Sequence, residues 1–346
     1  MNTRNIKLFL LVFFFIPLSA YAVDASLSNK PIVENLPAEQ QTSAAETKEE
    51  GMMGNLKGSI SSFKANDGYL DLGLRTGYIY GYTSFDFNHH TSELEYPFRS
   101  YMGGANLSLG YKGFSMNSEF WVPISGDPTA GWHMKDKDWD ANGQLESDTR
   151  SYTDMNAIIW DANLRYDIFK HSFGQKKTDE ENKKPNNMKL GVLIGYRYQR
   201  FGFKGYGLYQ TCFYDSSYGD GELVFEYKIK YRLPYCGLAM EAEGERFGVS
   251  MNAKYSFSPH AEDYDSHTLR ALHFHGDYKS NPNVFMGNFS MFWKFAKNWK
   301  ANVGVDATLV RINGTVWEES HDPDWDKDQS LDSRQFIYWL GLGYRF

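Results

Sequence analysis

Residues 259–267 read PHAEDYDSH and set Asp263, Asp265 and His267 at every second position. In an extended chain, residues i, i+2 and i+4 share a face, so the three side chains project together. A carboxylate beside an imidazole fixes the ring's tautomer and stabilises its charged form, which leaves the second ring nitrogen to take a proton from water. A matching phrase, GWHMKDKDWD at 131–140, puts Asp136 and Asp138 on one face by the same period. Two acidic faces and one imidazole are the means to activate a water molecule. Rival chemistries are weaker. Acidic side chains on exposed loops are most often a solvated surface. Clustered carboxylates also suit calcium, for which HDPDWDKDQ at 321–329 is the better candidate, with solvated surface the simpler reading of it. His273 and His275 in LHFHG share one strand face and could ligate zinc, but no third ligand is near, so loop surface is expected. Cys212 and Cys236 fall in a long loop and well down a strand, too far apart to bridge, and their spacing offers no metal motif.

The elements that must carry these groups follow from texture. The chain has 346 residues, 17% of them aromatic, a formal charge of −7 and a mean hydropathy of −0.55, a mildly acidic balance that argues against nucleic acid as a partner. Arg4 and Lys7 precede the apolar run Leu8–Leu18, and Ala20-Tyr21-Ala22 supplies small residues for cleavage, so residues 1–22 read as a signal peptide. The run is too short for a membrane helix. Residues 23–62, rich in Ser, Ala, Glu and Gln, read as a flexible leader. The remaining domain, 63–346, alternates. Leu190, Val192, Ile194, Tyr196 and Tyr198 are apolar between polar or tiny neighbours, as are Phe247, Val249, Met251, Ala253, Tyr255 and Phe257, and again Ala301, Val303, Val305, Ala307 and Leu309.

A soluble sandwich alternates too, so the connections decide. Short breaks (YKGF at 111–114, EGER at 243–246, AKNW at 296–299) take turns with long polar segments at 84–94, 125–153, 205–221, 261–283 and 318–332. Five long loops and four short turns make ten antiparallel strands, an even number with the asymmetry of an outer-membrane barrel. A charged insertion, HSFGQKKTDEENKKPNN at 171–187, stands where a short turn is due. The last strand, IYWLGLGYRF, carries an outward stripe of Tyr338, Leu340, Leu342, Tyr344 and Phe346 and closes on the first, removing both sheet edges. The expected fold is therefore an all-β, ten-stranded transmembrane barrel. Arg197, Lys254 and Asp306 fall at inward positions and are expected to pair with one another. PHAEDYDSH then opens the fourth long loop, but its parity is wrong: the lipid-facing set is odd through Phe257, and so are Asp263, Asp265 and His267. Pro259 cannot donate to a ladder, and a bulge there must turn the strand over if the site is to form.

At these residues the chain resembles the omptin family, ten-stranded outer-membrane proteases of Gram-negative bacteria. The resemblance spans about 68–346; its strongest pieces are MKDKDW at 134–139 and DYDSH at 263–267, with LPYCGL and AKYS at the family's spacing between them. It implies that Asp136 and Asp138 form one catalytic pair and Asp265 with His267 the other, holding a water as nucleophile between them. Met134 and Asp263 match substrate-binding positions, Asp263 being one acid of a pocket for basic side chains. The second acid of that pocket aligns with Gly81 when the first strand is laid along the family pattern without a gap; a shifted register, or Asp86 or Glu93 from the first loop, would restore it. No metal or organic cofactor is implied. Lipopolysaccharide is implied as a requirement for activity, and peptides or surface proteins as substrates of a monomer facing outward from the cell. The competing reading is a non-enzymatic barrel, an adhesin or narrow pore; Gly81, the 171–187 insertion and the leader favour it, while a ten-stranded lumen filled by side chains weakens the pore.

Overall fold

The computed structural model describes residues 68–346 except 88–91, 125–132, 141, 174–185, 212–215, 269–270 and 320–326. The expected signal peptide, leader, Cys212 and most of the acidic stretch 321–329 lie outside the described residues. Twelve strands run in order: β1 (Gly68–Phe87), β2 (Ser92–Tyr111), β3 (Phe114–Pro123), β4 (His133–Trp139), β5 (Leu145–Phe173), β6 (Asn186–Thr211), β7 (Ser216–Glu243), β8 (Phe247–Ser256), β9 (His260–His267), β10 (Leu272–Lys294), β11 (Trp299–Glu318) and β12 (Lys327–Arg345). All pairings are antiparallel, and β1 pairs with both β2 and β12, so the sheet is closed.

The twelve strands make ten staves. Both β3 and β4 pair with β2 on one side and β5 on the other, β4 continuing β3 toward the long-loop end. In the same way β8 and β9 share the neighbours β7 and β10. The short turns are tight, as the sequence implies: Lys112 and Gly113 between β2 and β3 both have positive φ (46° and 87°), the geometry of a two-residue hairpin.

Outward apolar side chains mark the bilayer level. Leu74 is 72% exposed and Phe247 66%, which water would penalise over a whole belt of such residues. From Phe247 to Phe257 the outward stripe covers about 34 Å of strand, and at a tilt of roughly 40° that is about 25 Å of height, the thickness of an outer-membrane apolar band. Above it the outward residues turn polar at once. Arg99 lies over the Tyr80 ring at 5.0 Å and Arg334 over Tyr82 at 5.5 Å, and Arg232 holds Glu262 with two bonds of 2.6 and 3.0 Å.

At bilayer level the lumen is occupied by paired polar groups. Asp161 accepts from Lys254 Nζ at 2.9 Å and from the Tyr235 hydroxyl, and Arg197 lies 3.5 Å from the same carboxylate. Asp306 instead accepts from Asn288 at 3.0 Å and Trp339 at 2.9 Å. The expected trio therefore does not pair within itself. Asp161 is the anion for both cations, because it sits directly across the ladder from Arg197. Charges removed from water need such partners, and a lumen filled this way leaves little for a pore.

The sequence reading also places strand ends too low. Most of the polar stretches expected as loops are strands: β4 and the start of β5 lie within 125–153, and β9 and the start of β10 within 261–283. Above the bilayer the outer face meets water, so the apolar alternation that announces a strand disappears while the hydrogen-bonded ladder continues. His273 and His275 are accordingly on a strand, not a loop, facing outward: the Tyr264 hydroxyl bonds His273 Nδ1 at 3.0 Å, and the His275 ring stacks on Trp317 at 5.7 Å. Among the described residues no group of three or more His, Cys, Asp or Glu is placed to hold a metal ion.

Candidate functional site

The two staves that bear the acidic motifs each carry an odd number of extra residues between their lower and upper strands. Between the pairs Tyr235–Ser256 and Arg232–His260 the chain advances three residues on β7 but four on β8–β9. Because the side-chain period of a strand is two, one extra residue exchanges its faces. Lys254 and Ser256 are buried toward the lumen below the bulge; above it Ala261 and Asp265 are buried, and His260 and Glu262 point outward to Asp277 and Arg232. The break at Phe257–Pro259 thus resolves the parity conflict in the sequence. Between the pairs Met102–Pro123 and Glu95–Lys135 the chain advances seven residues on β2 but twelve on β3–β4. Five extra residues again exchange the faces: Glu119 and Trp121 point inward on β3, whereas Met134, Asp136 and Asp138 do so on β4, with Lys135 turned out to Glu95 at 2.7 Å.

Both acidic motifs therefore look into the mouth of the barrel at its long-loop end. Asp265 Oδ2 accepts from His267 Nε2 at 3.1 Å, and the imidazole stands edge-on to Phe274 at 5.5 Å. Asp265 is 8% exposed, and its Oδ1 has no hydrogen-bond partner among the described residues. Asp138 Oδ2 accepts from Ser147 Oγ at 2.9 Å, and Asp136 lies across the ladder from Leu94 on β2 and Thr149 on β5. Met134 is only 4% exposed and packs in the hydrophobic cluster under the cleft. The lining carboxylates stand on hydrogen-bonded strands, which hold side chains more closely than loop tips do.

The floor is aromatic. Tyr96 stacks on Tyr227 with centroids 4.2 Å apart and planes 11° apart; Phe85 meets Tyr96, Tyr227 and Tyr278 at 6.3, 5.2 and 6.0 Å. Asp263 is set into this floor, its Oδ2 accepting from the Tyr227 and Tyr278 hydroxyls at 2.9 Å each. Burial pushes its carboxyl up to about 7, the two phenols opposing and the Asp265 charge adding to the rise. Gly276 is required beside it, since a Cβ there would come within 2.3 Å of Asp263 Oδ1. The aromatic floor escaped the sequence reading, although FEYKIKYRLPY at 225–235 shows it as aromatic or aliphatic residues at every second position.

None of the three positions considered for it, 81, 86 and 93, places a second acid beside Asp263. Gly81 has φ +141°, and a Cβ there would lie 1.8 Å from the Arg334 carbonyl oxygen, so this position accepts no side chain. Asp86 and Glu93 face each other across the ladder, on the outer face, because their neighbours Phe85 and Leu94 are the inward, buried ones. The space above Gly81 belongs to Thr83 and Phe85.

Known proteins agree with this architecture. The omptin family model matches residues 82–346. The plasminogen activator of Yersinia pestis is 28% identical over 171 residues, 47% of this chain and 49% of that protein. Protease 7 of Escherichia coli O157:H7 is 26% identical over 176 residues, 46% of this chain and 55% of that protein. The chain thus spans about half the length of these two relatives. The crystal structure of outer membrane protease OmpT from Escherichia coli superimposes with a TM-score of 0.67 at 19% identity, over 80% of this chain and 97% of the other, which is a likeness of fold. A family model that covers well over half of the sequence, including both acidic motifs on their staves, makes this chain a member of the omptin family.

Proposed function

We propose that this chain is an outer-membrane endopeptidase that hydrolyses peptide bonds of polypeptides outside a Gram-negative cell. The observation that carries the reading is the pair of odd insertions. Without them neither acidic motif would face the cleft, and with them Asp136, Asp138, Asp265 and His267 all do. Two relatives bearing the names plasminogen activator and protease 7 support the same class of activity.

In the proposed mechanism Asp265 orients His267 through Nε2, and the other ring nitrogen takes a proton from a water held between this dyad and Asp136 with Asp138. The water oxygen bonds to the carbonyl carbon as the proton passes to the imidazole, giving an oxyanion. Collapse breaks the C–N bond, and the leaving amine takes the proton back from the imidazolium. Asp265 stabilises that cation, while Asp136 and Asp138 accept hydrogen bonds from the attacking water. The reaction needs no metal or organic cofactor in this form.

Specificity is the point of departure from the family. With Asp263 already accepting two phenols and Gly81 unable to carry a side chain, the cleft offers one acid of limited charge to a basic side chain, so Arg or Lys beside the cleaved bond is a preference and not a requirement. The outward arginines just above the apolar belt, Arg99, Arg232 and Arg334, are suited to lipopolysaccharide phosphates, and activity is expected to depend on that lipid. Refolded protein with lipopolysaccharide, incubated with a mixed peptide library, tests the reading by mass spectrometry of the cut sites. Discrete cleavage lost in His267→Ala supports it; an uncut library refutes it.

A further inference from the structure

The floor of the cleft holds a donor and an acceptor that have no partner among the described residues. Tyr96 is 0% exposed, and its hydroxyl has no hydrogen-bond partner among the described residues. The same is true of Asp265 Oδ1. Buried polar atoms are satisfied in the great majority of cases, and exceptions gather where a group serves chemistry rather than folding. The Tyr96 ring cannot drift. It stacks on Tyr227, stands edge-on to Phe225 at 5.7 Å and leans on Phe203 at 5.2 Å. Its stacked twin already serves an acid, for the Tyr227 hydroxyl donates to Asp263. β2 brings Tyr96 to the floor two residues below Leu94, which faces Asp136. Burial first, then the charges of Asp265, Asp136 and Asp263, raise its pKa well above the ordinary phenol value. It is therefore a neutral donor at every working pH, and Tyr227, the ring on which it stacks, lies directly across the ladder from Asp265.

We propose that Tyr96 is a positioning residue of the proton-accepting dyad: its hydroxyl donates through one bridging water to Asp265 Oδ1, and so holds the carboxylate that orients His267. The inference rests on the endopeptidase reading and deepens it. A hydrogen bond to Oδ1 restrains the carboxylate's rotation, keeping Oδ2 on His267 Nε2. It also draws charge from the carboxylate, so that the imidazolium is stabilised less than it would be by a bare anion.

Both consequences are measurable with Tyr96→Phe, which keeps the ring and its stacking. On a peptide cut by the refolded wild type with lipopolysaccharide, kcat is expected to fall roughly 10- to 100-fold with KM little changed, the size typical of losing a hydrogen bond to a charged group. The acid limb of the pH–rate profile should move to higher pH, because the carboxylate left behind favours the imidazolium more. In an Asp265→Asn background, Tyr96→Phe should cost nothing further, since the partner through which it acts is changed. Heat-modifiable gel mobility should be that of wild type. A Tyr96→Phe protein with wild-type kcat and pH profile would overturn the inference, as would an undiminished loss in the Asp265→Asn background. Failure of the variant to fold would overturn it too, by showing that the hydroxyl has a structural partner. If the wild type cleaves nothing, the protease reading fails and this role falls with it; if it cleaves by way of His267 and Tyr96→Phe is silent, only this role fails.

Discussion

Deleting Ser258 tests the face exchange directly. This exposed residue lies in the bulge, between Ser256, which pairs with Tyr235, and His260, which pairs with Arg232. Without it four steps on β8–β9 become three, equal to β7, and alternation runs unbroken from Phe257 upward. Asp263, Asp265 and His267 would then face outward, and His260, Glu262 and Tyr264 would enter the aromatic floor. Loss of the imidazole from the cleft alone removes general-base catalysis, typically worth 10²- to 10⁴-fold. Loss of the two phenol bonds to Asp263 should cost about 1–3 kcal/mol of stability, from a net contribution of roughly 0.5–1.5 kcal/mol for each bond. The ladder pairs below Ser256 are untouched, so the barrel should still form. Ser258→Gly keeps the residue count and should keep activity, which separates register from side-chain chemistry. The assay is peptide hydrolysis by both refolded variants with lipopolysaccharide, beside heat-modifiable mobility. A folded deletion variant that cleaves at near the wild-type rate would refute the reasoning.

His267→Ala should lower peptide hydrolysis by roughly 10²- to 10⁴-fold, and Asp265→Asn by a large factor as well, with mobility on unheated gels unchanged and EDTA without effect on wild type; inhibition by EDTA would point to a metal. The Asp263 carboxyl, with its pKa raised to about 7, is mostly neutral at pH 6 and mostly charged at pH 8. The ratio of kcat/KM for Arg-containing over neutral peptides should therefore rise between those values, and Asp263→Asn should flatten it. A strict demand for Arg or Lys at every pH would contradict the account of Gly81. A chain beginning near Ser61 should fold in detergent, since residues 23–60 carry too little apolar surface to supply a strand; failure to refold would show that the leader contributes to the barrel.

How much of this was legible depends on what each residue faces. At bilayer level the sequence is explicit, because lipid on one side and a crowded polar lumen on the other force alternation: Val192 and Ile194 are outward and exposed, Arg197 inward and buried. Turns were legible where backbone geometry demands particular residues, as at Lys112-Gly113. The conflict of parity at Pro259 even located a bulge, since a motif that must face the lumen could not do so otherwise. Above the bilayer hydropathy stops reporting the strand, so β4 and β9 read as loops. Partners across the lumen were also hidden. Asp161, not Asp306, takes Arg197 and Lys254, because ladder register decides which anion lies within reach and no local pattern in the sequence encodes it.

The same register logic explains why the second pocket acid cannot simply be moved elsewhere. On β1 the inward residues are odd-numbered, and near the floor they are Ile79, Gly81, Thr83 and Phe85. An acid at 81 would collide with the Arg334 carbonyl. One at 86 or 93 looks outward, because neither β1 nor β2 has the odd insertion that turned β4 and β9 over. The space is taken instead by Phe85, whose ring closes against Tyr227 and Tyr278, the two residues that hold Asp263. A floor of this kind lowers the local dielectric and so raises the cost of leaving Asp263 charged, which is why its carboxyl titrates near neutrality rather than in the usual acidic range. The bare Gly81, the Phe85 ring above it and the raised pKa of Asp263 are thus one packing arrangement seen at three residues. Asp265 with His267 on β9, and Asp136 with Asp138 on β4, stand on other staves, each turned inward by its own odd count of residues, which the packing around Gly81 does not touch.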